Sequence, residues 1–282
     1  MIVCRSTAEL KRLATVNELV ARVLAELEGM VQPGITTADL DALADQRLRE
    51  AGAQSAFKGY HGYPATICAS INEQVVHGIP SQRALRAGDI ISIDLGAKLD
   101  GFFGDSAVTV PVGAIDEHAA RLLEVTEAAL YAGIAAVRSG GRVSDIGAAV
   151  QAHVEAAGFS VVREFVGHGI GTKLHEEPQI PNYGTPGRGP RLAEGMVLAI
   201  EPMVNFGKPG VKVLGDGWTA VTRDGSLSAH FEHTVVVVNG GSRILTKNGR
   251  TAPRSESASG DAAELRATAP ASRAAGADQF VP

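Results

Sequence analysis

The chain has 282 residues, enough for one large domain or two small ones, and 45% of them are hydrophobic, so a sizeable core can form. A net charge of −5 argues against nucleic acid as the main partner, and no apolar run approaches the roughly 20 residues that cross a bilayer. Met1–Ser6 lacks the apolar stretch of a signal peptide. Cys4, near a terminus, and Cys68, in an apolar segment, read as free thiols suited to a reducing compartment.

In chain order, Ser6 is placed to cap a helix running to about Met30, and Thr36 or Thr37 a second helix ending at Gly52. Strands are predicted around 64–70, 90–98 and 101–111, helices near 116–138 and 144–157, and strands at 161–165, 196–203, 218–222 and 229–246. The Gly- and Pro-rich stretch 176–193 reads as a loop over the site. A domain boundary falls at about 248. Residues 249–282 carry few large apolar side chains and balanced charges, the composition of a disordered tail.

A faint duplication links the halves. Val31, Gly34, Leu40, Ala51 and Gly52 recur 106 residues on as Val137, Gly140, Ile146, Ala157 and Gly158. Chance similarity between two helical hairpins is the competing explanation. The same offset carries Asp94 to within one residue of Glu201.

The segment Ile90–Val110 alternates apolar residues on both sides of Asp100-Gly101, a strong hairpin signal. With the turn there, Asp94 faces Ala107, and Asp105 lies diagonal to Asp94 on the same sheet face, roughly 7 Å away at the backbone. Ile91, Ile93 and Leu95 point to the opposite face, towards helices. Taken alone, the pair reads rather as turn-flanking aspartates in an ordinary hairpin, although Asp is depleted in mid-strand. Glu201 ends the apolar run Met196–Ile200, and Glu232 lies in the β-forming run His230–Val238. His168 stands between Gly167 and Gly169, which let the backbone approach a site and leave the imidazole free. Four carboxylates meeting one imidazole in apolar surroundings would repel one another unless cations lay between them. Two divalent metals, with further histidines at hand, point to hydrolysis.

The ordered set Ile71–Pro80 (INEQVVHGIP), Ser92-Ile93-Asp94, Gly104-Asp105, Gly167–Gly171, His175–Pro178, Ile200–Met203 and Glu232-His233-Thr234 resembles the type I methionine aminopeptidases from about residue 5 to about 248. The resemblance implies the pita-bread fold of the α+β class, a pseudo-twofold, curved antiparallel sheet covered by helices. It implies two divalent ions (Co, Mn, Fe or Zn) held by Asp94, Asp105, His168, Glu201 and Glu232, with Asp105 and Glu232 bridging. His77 and His175 would contact substrate, and Glu201 would also shuttle a proton. Tyr60, Tyr63, Cys68, His77, Leu174 and Trp218 would surround the substrate methionine, within a wider apolar set that includes Phe57, His61 and Met203. His61, His118, His153, His230 and His233 otherwise read as structural or solvated.

The substrates so implied are N-terminal peptides of nascent proteins with a small second residue, met at the ribosome by a cytoplasmic monomer with no nucleic-acid or membrane partner. Prolidase and aminopeptidase P share the ligands but carry a large N-terminal domain, whereas 93 residues precede Asp94 here. The 31-residue step from Glu201 to Glu232 leaves no room for the helical insertion of type II enzymes, and a bacterial-type chain without a zinc-finger extension is expected. The alternatives are cleavage before proline and an inactive binding module on the same fold.

Overall fold

The computed structural model describes residues 1–247; the tail predicted from 249 lies outside them. Helix α1 (Thr7–Met30) starts where Ser6 accepts the Glu9 amide while Glu9 reaches back to the Ser6 amide, so two orphan donors are satisfied reciprocally. Thr36 and Asp39 repeat the device at α2 (Thr37–Glu50). Then come β1 (Gln54–Ser55), β2 (Cys68–Ile71), β3 (Gln74–Val76), β4 (Ile90–Leu99) and β5 (Phe102–Pro111). Asp100 and Gly101 take φ of +49° and +82° between β4 and β5, which a two-residue turn with the sheet's twist requires. Asp94 pairs with Ala107 and Gly96 with Asp105, the predicted register. Ile91, Ile93 and Leu95 are wholly buried, each contributing about 1.5–3 kcal/mol of apolar transfer, and α1 packs across β4 and β5.

The second half runs α3 (Glu117–Ala136), α4 (Val143–Ala156), β6 (Ser160–Val161), β7 (Gly167–Gly169), β8 (Glu176–Ile180), β9 (Val197–Ile200), β10 (Met203–Asn205), β11 (Val211–Val213), β12 (Ala220–Thr222), β13 (Ser228–His230), β14 (His233–Val238) and β15 (Gly241–Ile244). The duplication is a structural one. α2 and α4 have bounds 106 residues apart, Val31 and Val137 close α1 and α3 with nearly the same dihedrals, and Gly34/Gly140 and Gly52/Gly158 all have positive φ.

Four sheets result: β1-β4-β2 with β5 on β4, β15-β14-β9-β7-β8, β13-β10-β6 and β11-β12-β3. Glu232 N donates to Ala107 O at 2.9 Å, Ser106 Oγ to Glu232 O at 2.7 Å and Thr234 Oγ1 to Asp105 O at 2.8 Å. These bonds stitch β5 of the first half to the β13–β14 junction of the second.

Several predicted strands are shorter or broken. The 64–70 strand starts only at Cys68, because the Thr66 and Ile67 amides donate to Asp41 Oδ1 rather than to a ladder. The 161–165 strand is two residues, 160–161. The 218–222 strand begins at Ala220, because the Trp218 and Thr219 amides turn onto Asp216 Oδ1. The 196–203 run splits at Glu201-Pro202, where proline has no N–H for the ladder. The 229–246 run splits opposite it at Phe231-Glu232, and again at Asn239-Gly240.

The stretch 176–193 is not a loop over the site. Residues 176–180 form edge strand β8, and the rest packs on α4, with Ser144 Oγ on Arg188 O and the Gly187 amide on Asp145. Gly147 of α4 is what allows this approach: a Cβ there would lie 2.2 Å from Pro181 O and 2.6 Å from Tyr183 O. Helix propensity alone favours Gly147→Ala by about 1 kcal/mol, but overpacking against backbone costs about 1–3 kcal/mol. We therefore expect Gly147→Ala to lower the chemical denaturation midpoint. An unchanged or higher midpoint would show that the loop yields.

Candidate metal centre and active site

The strand pattern aims the first two carboxylates. Asp94 sits between the fully buried Ile93 and Leu95, so alternation turns it to the opposite sheet face. Gly104 is pressed against Asn17 of α1, which sends Asp105 the same way as Asp94. From the second half, Glu201 and Glu232 come from the paired ladder breaks, where Ile200 lies opposite His233 and Met203 opposite His230. Asn182 Nδ2 donates to Glu201 O at 3.0 Å, the link between the 181–193 loop and the site.

His168 lies on β7 between β8 and β9. Cβ atoms at Gly167 and Gly169 would fall 2.3 Å from Ala199 O and 2.4 Å from Glu177 O, so only glycine permits this spacing. His168 Nδ1 is 3.0 Å from Gly169 O, which places the proton on Nδ1. Nε2 then faces the acids, 3.6 Å from Glu201 Oε1 and 4.0 Å from Asp105 Oδ2.

Asp105, His168 and Glu232 are buried and offer ligand atoms within 4.8 Å of one another. Asp94 and Glu201 border the same cavity. Asp94 Oδ1, Asp105 Oδ1 and Glu232 Oε1 are buried with no hydrogen-bond donor. Burial pushes Asp94 up to about 7 and raises Asp105, Glu201 and Glu232 well above the usual carboxylate range, the neighbouring carboxylates adding to the last three. Burial holds His168 and His230 down to about 3 and His77 to about 4, so all three are neutral. Acceptors without donors, grouped around a neutral imidazole, are the donor set that hard or borderline divalent cations take.

The cavity, about 140 Å³, continues past the acids into an aromatic end lined by Phe57, Tyr60, His61, Tyr63, Cys68, Leu174 and Trp218. The Tyr63 hydroxyl lies 3.0 Å from Ile67 O and 2.9 Å from Gly78 O, and its ring meets Trp218 edge-on at 5.1 Å. His77 and His175 flank the acids. His77 has φ of +61°, a conformation uncommon outside glycine, and its ring abuts Phe165. Tyr60 OH is 2.8 Å from His175 Nδ1, leaving Nε2 for another partner.

The residues predicted for the metal centre and pocket, with one exception, therefore share one cavity. Met203 does not join them; it is fully buried in a separate apolar cluster with Val75, Val162 and Ala220. Of the histidines also read as structural or solvated, His61 takes its place in the pocket set, and His230 lies behind Glu201. His61 lines the aromatic end, and its place between Tyr60 and Tyr63 was the available signal. His230 is 2% exposed, with Nε2 3.9 Å from Glu201 Oε2. Arg5, not singled out in the sequence, ion-pairs with Glu176 beside His175 and donates its amide to Gly195 O.

Residues 11–239 match the model of metallopeptidase family M24. The chain is 53% identical to "Methionine aminopeptidase 1" of Bacillus subtilis over 247 residues, 88% of this chain and 100% of that protein. It is 48% identical over 249 residues to "Methionine aminopeptidase 1" of Mycobacterium tuberculosis, 86% of this chain and 94% of that one. Among solved structures, the methionine aminopeptidase of Thermotoga maritima superimposes with a TM-score of 0.87 at 45% identity, covering 88% of this chain and all of the other. The prolidase of Pyrococcus horikoshii, at 21% identity, TM-score 0.72 and coverage of 90% and 66%, shares the fold. The pita-bread architecture, the donor set and these matches together place the chain in metallopeptidase family M24.

Proposed function

We infer that the chain is a metal-dependent aminopeptidase that hydrolyses the bond after an N-terminal methionine. The observation that carries this reading is a single cavity whose lining combines four carboxylates and His168 with aromatic and aliphatic side chains. Such a cavity holds one apolar side chain, and Tyr63, Cys68, Leu174 and Trp218 suit the polarisable thioether of methionine. Identity near 50% along almost the whole of several methionine aminopeptidases supports it.

Asp94, Asp105, His168, Glu201 and Glu232 would hold two divalent cations; when bound, these ions would supply Lewis acidity and a water acidified towards neutral pH. The oxygen-rich set favours Mn, Fe or Co, with Zn as the fourth candidate. Glu201, half-buried and bordering the cavity, moves the proton from the attacking water to the leaving amine. Tyr60 OH on His175 Nδ1 keeps an Nε2–H directed at the scissile carbonyl. His77, locked by its backbone and by Phe165, positions the peptide beyond the methionine. The fitting substrates are nascent chains with a small second residue, met at the ribosome by a cytoplasmic monomer.

Release of methionine from a Met-Ala-Ser peptide with Mn²⁺ or Co²⁺, abolished by chelator, tests the reading. Release from Ala-Pro instead would shift it to cleavage before proline, and no metal-dependent release at all would favour a binding module. Glu201→Ala and His175→Ala should each lower kcat/KM by at least about 100-fold with the melting temperature little changed; near-normal rates in either refute its assigned role.

The titration of the acids gives a second prediction. Their folded pKa values lie above the unfolded ones, so in the metal-free protein their contribution is complete below the unfolded carboxylate range and is lost as pH rises through about 7, the value for Asp94. Cations remove that loss, and protons compete with them at low pH. Mn²⁺ should thus raise the melting temperature more at pH 8 than at pH 5.5. An equal or larger rise at pH 5.5 would mean that these carboxylates are not the ligands.

A further inference from the structure

The Glu201 carboxylate lies between two imidazoles, with Oε1 3.6 Å from His168 Nε2 and Oε2 3.9 Å from His230 Nε2. His168 belongs to the donor set; His230 has no part in the mechanism above. Its backbone is fixed on both sides by one side chain: Thr109 Oγ1 accepts the His230 amide at 2.8 Å and donates to the His230 carbonyl at 2.7 Å. Its Cα is paired with Met203 across the ladder. The ring is almost wholly enclosed, and its Nε2 has no hydrogen-bond partner. A buried ring nitrogen without a partner is costly, and Glu201 Oε2, an acceptor 3.9 Å away, is the carboxylate oxygen it faces. A small rotation of Glu201 about its terminal torsion, a soft one, closes the gap.

We propose that His230 is a positioning residue whose Nε2–H donates to Glu201 Oε2 and so sets the plane in which Oε1 faces His168 and the cation site. The proposal rests on the role assigned to Glu201 above. A carboxylate held by one oxygen has one direction left for the other, so the same group can be a ligand and a proton carrier without swinging out of the site. Asn182 holds the backbone carbonyl of the same residue, so Glu201 is fixed at both ends from outside the donor set.

The test compares donor-free and donor-bearing variants. His230→Leu should lower kcat about 10- to 100-fold at saturating Co²⁺, with KM for Met-Ala-Ser within about twofold and two Co²⁺ still bound by calorimetry. Its Co²⁺ visible spectrum should differ from that of the unaltered protein, because Glu201 is free to turn. His230→Gln, whose amide nitrogen lies as many bonds from Cα as the ring Nε2, should restore kcat to within about fivefold and restore the spectrum. Should the leucine variant not fold, His230→Met gives the same donor-free comparison. The proposal is overturned if the donor-free variant keeps kcat within twofold, or if His230→Gln is as impaired as His230→Leu, which would make the effect one of shape. Glu201→Gln separates the underlying reading: retention of both Co²⁺ ions and full turnover there would remove Glu201 from the site, whatever His230 does.

Discussion

Like charge at a buried seam is the constraint on which the rest of the structure depends. Two carboxylates about 4 Å apart at an effective dielectric of 20 repel by about 4 kcal/mol, and four groups meet here. The protein offers them little relief: Asp94 Oδ1, Asp105 Oδ1 and Glu232 Oε1 face no donor. The bonds that hold the seam are neutral ones, from Ser106, Thr109 and Thr234 to backbone carbonyls of the facing half, each contributing about 1 kcal/mol. Such bonds set the register of the halves but cannot offset the repulsion, so protons or cations must. The raised carboxyl pKa values and the divalent donor set are two expressions of that one fact.

The duplication gives this seam its logic. The first half supplies Asp94 and Asp105, the second His168, Glu201 and Glu232, and the cavity they share is lined from both. The aromatic and aliphatic lining of the cavity is divided in the same way, Tyr60, Tyr63 and Cys68 against Leu174 and Trp218. Assembly of the site is therefore assembly of the halves. The helical pair of each half, capped and broken by glycine at matching positions, covers its own part of the sheet and leaves the other face for the joint.

The sequence was legible wherever local periodicity and turn chemistry decide the outcome. The β4–β5 hairpin follows from alternation about Asp100-Gly101, and its register placed both aspartates correctly. The first two helices follow from Ser6 and Thr36 as caps. It was less legible where pairing is non-local. The runs 196–203 and 229–238 look continuous in composition, yet each changes sheet partway, and only Pro202 carries a local sign of it, whereas the break at Asn239-Gly240 is an ordinary hairpin signal. The Gly- and Pro-rich stretch after β8 has the composition of a lid, but the bare backbone at Gly147 draws it onto α4. That the four acids and His168 gather in one cavity could be read because acids in apolar runs are costly without a partner. His230 could not, since a histidine in a β-run is equally a packed core residue until Glu201 is found beside it.

The two sheet breaks explain why one half offers aspartates and the other glutamates. Asp94 and Asp105 lie within unbroken antiparallel pairing, where side chains stand perpendicular to the sheet and a short one already reaches the shared face. Glu201 and Glu232 lie where paired strands leave one sheet for another, with Pro202 opposite the Phe231-Glu232 break and the Phe231 amide on Pro202 O at 3.4 Å. At such a step the backbone is no longer directed by a ladder, and the longer side chain supplies the missing reach. The extra torsions of glutamate bring freedom that a ligand should not have. The residues around each glutamate remove it: Ala107 and Ser106 hold the Glu232 backbone, Asn182 holds that of Glu201, and an enclosed imidazole faces the one Glu201 oxygen that does not face His168.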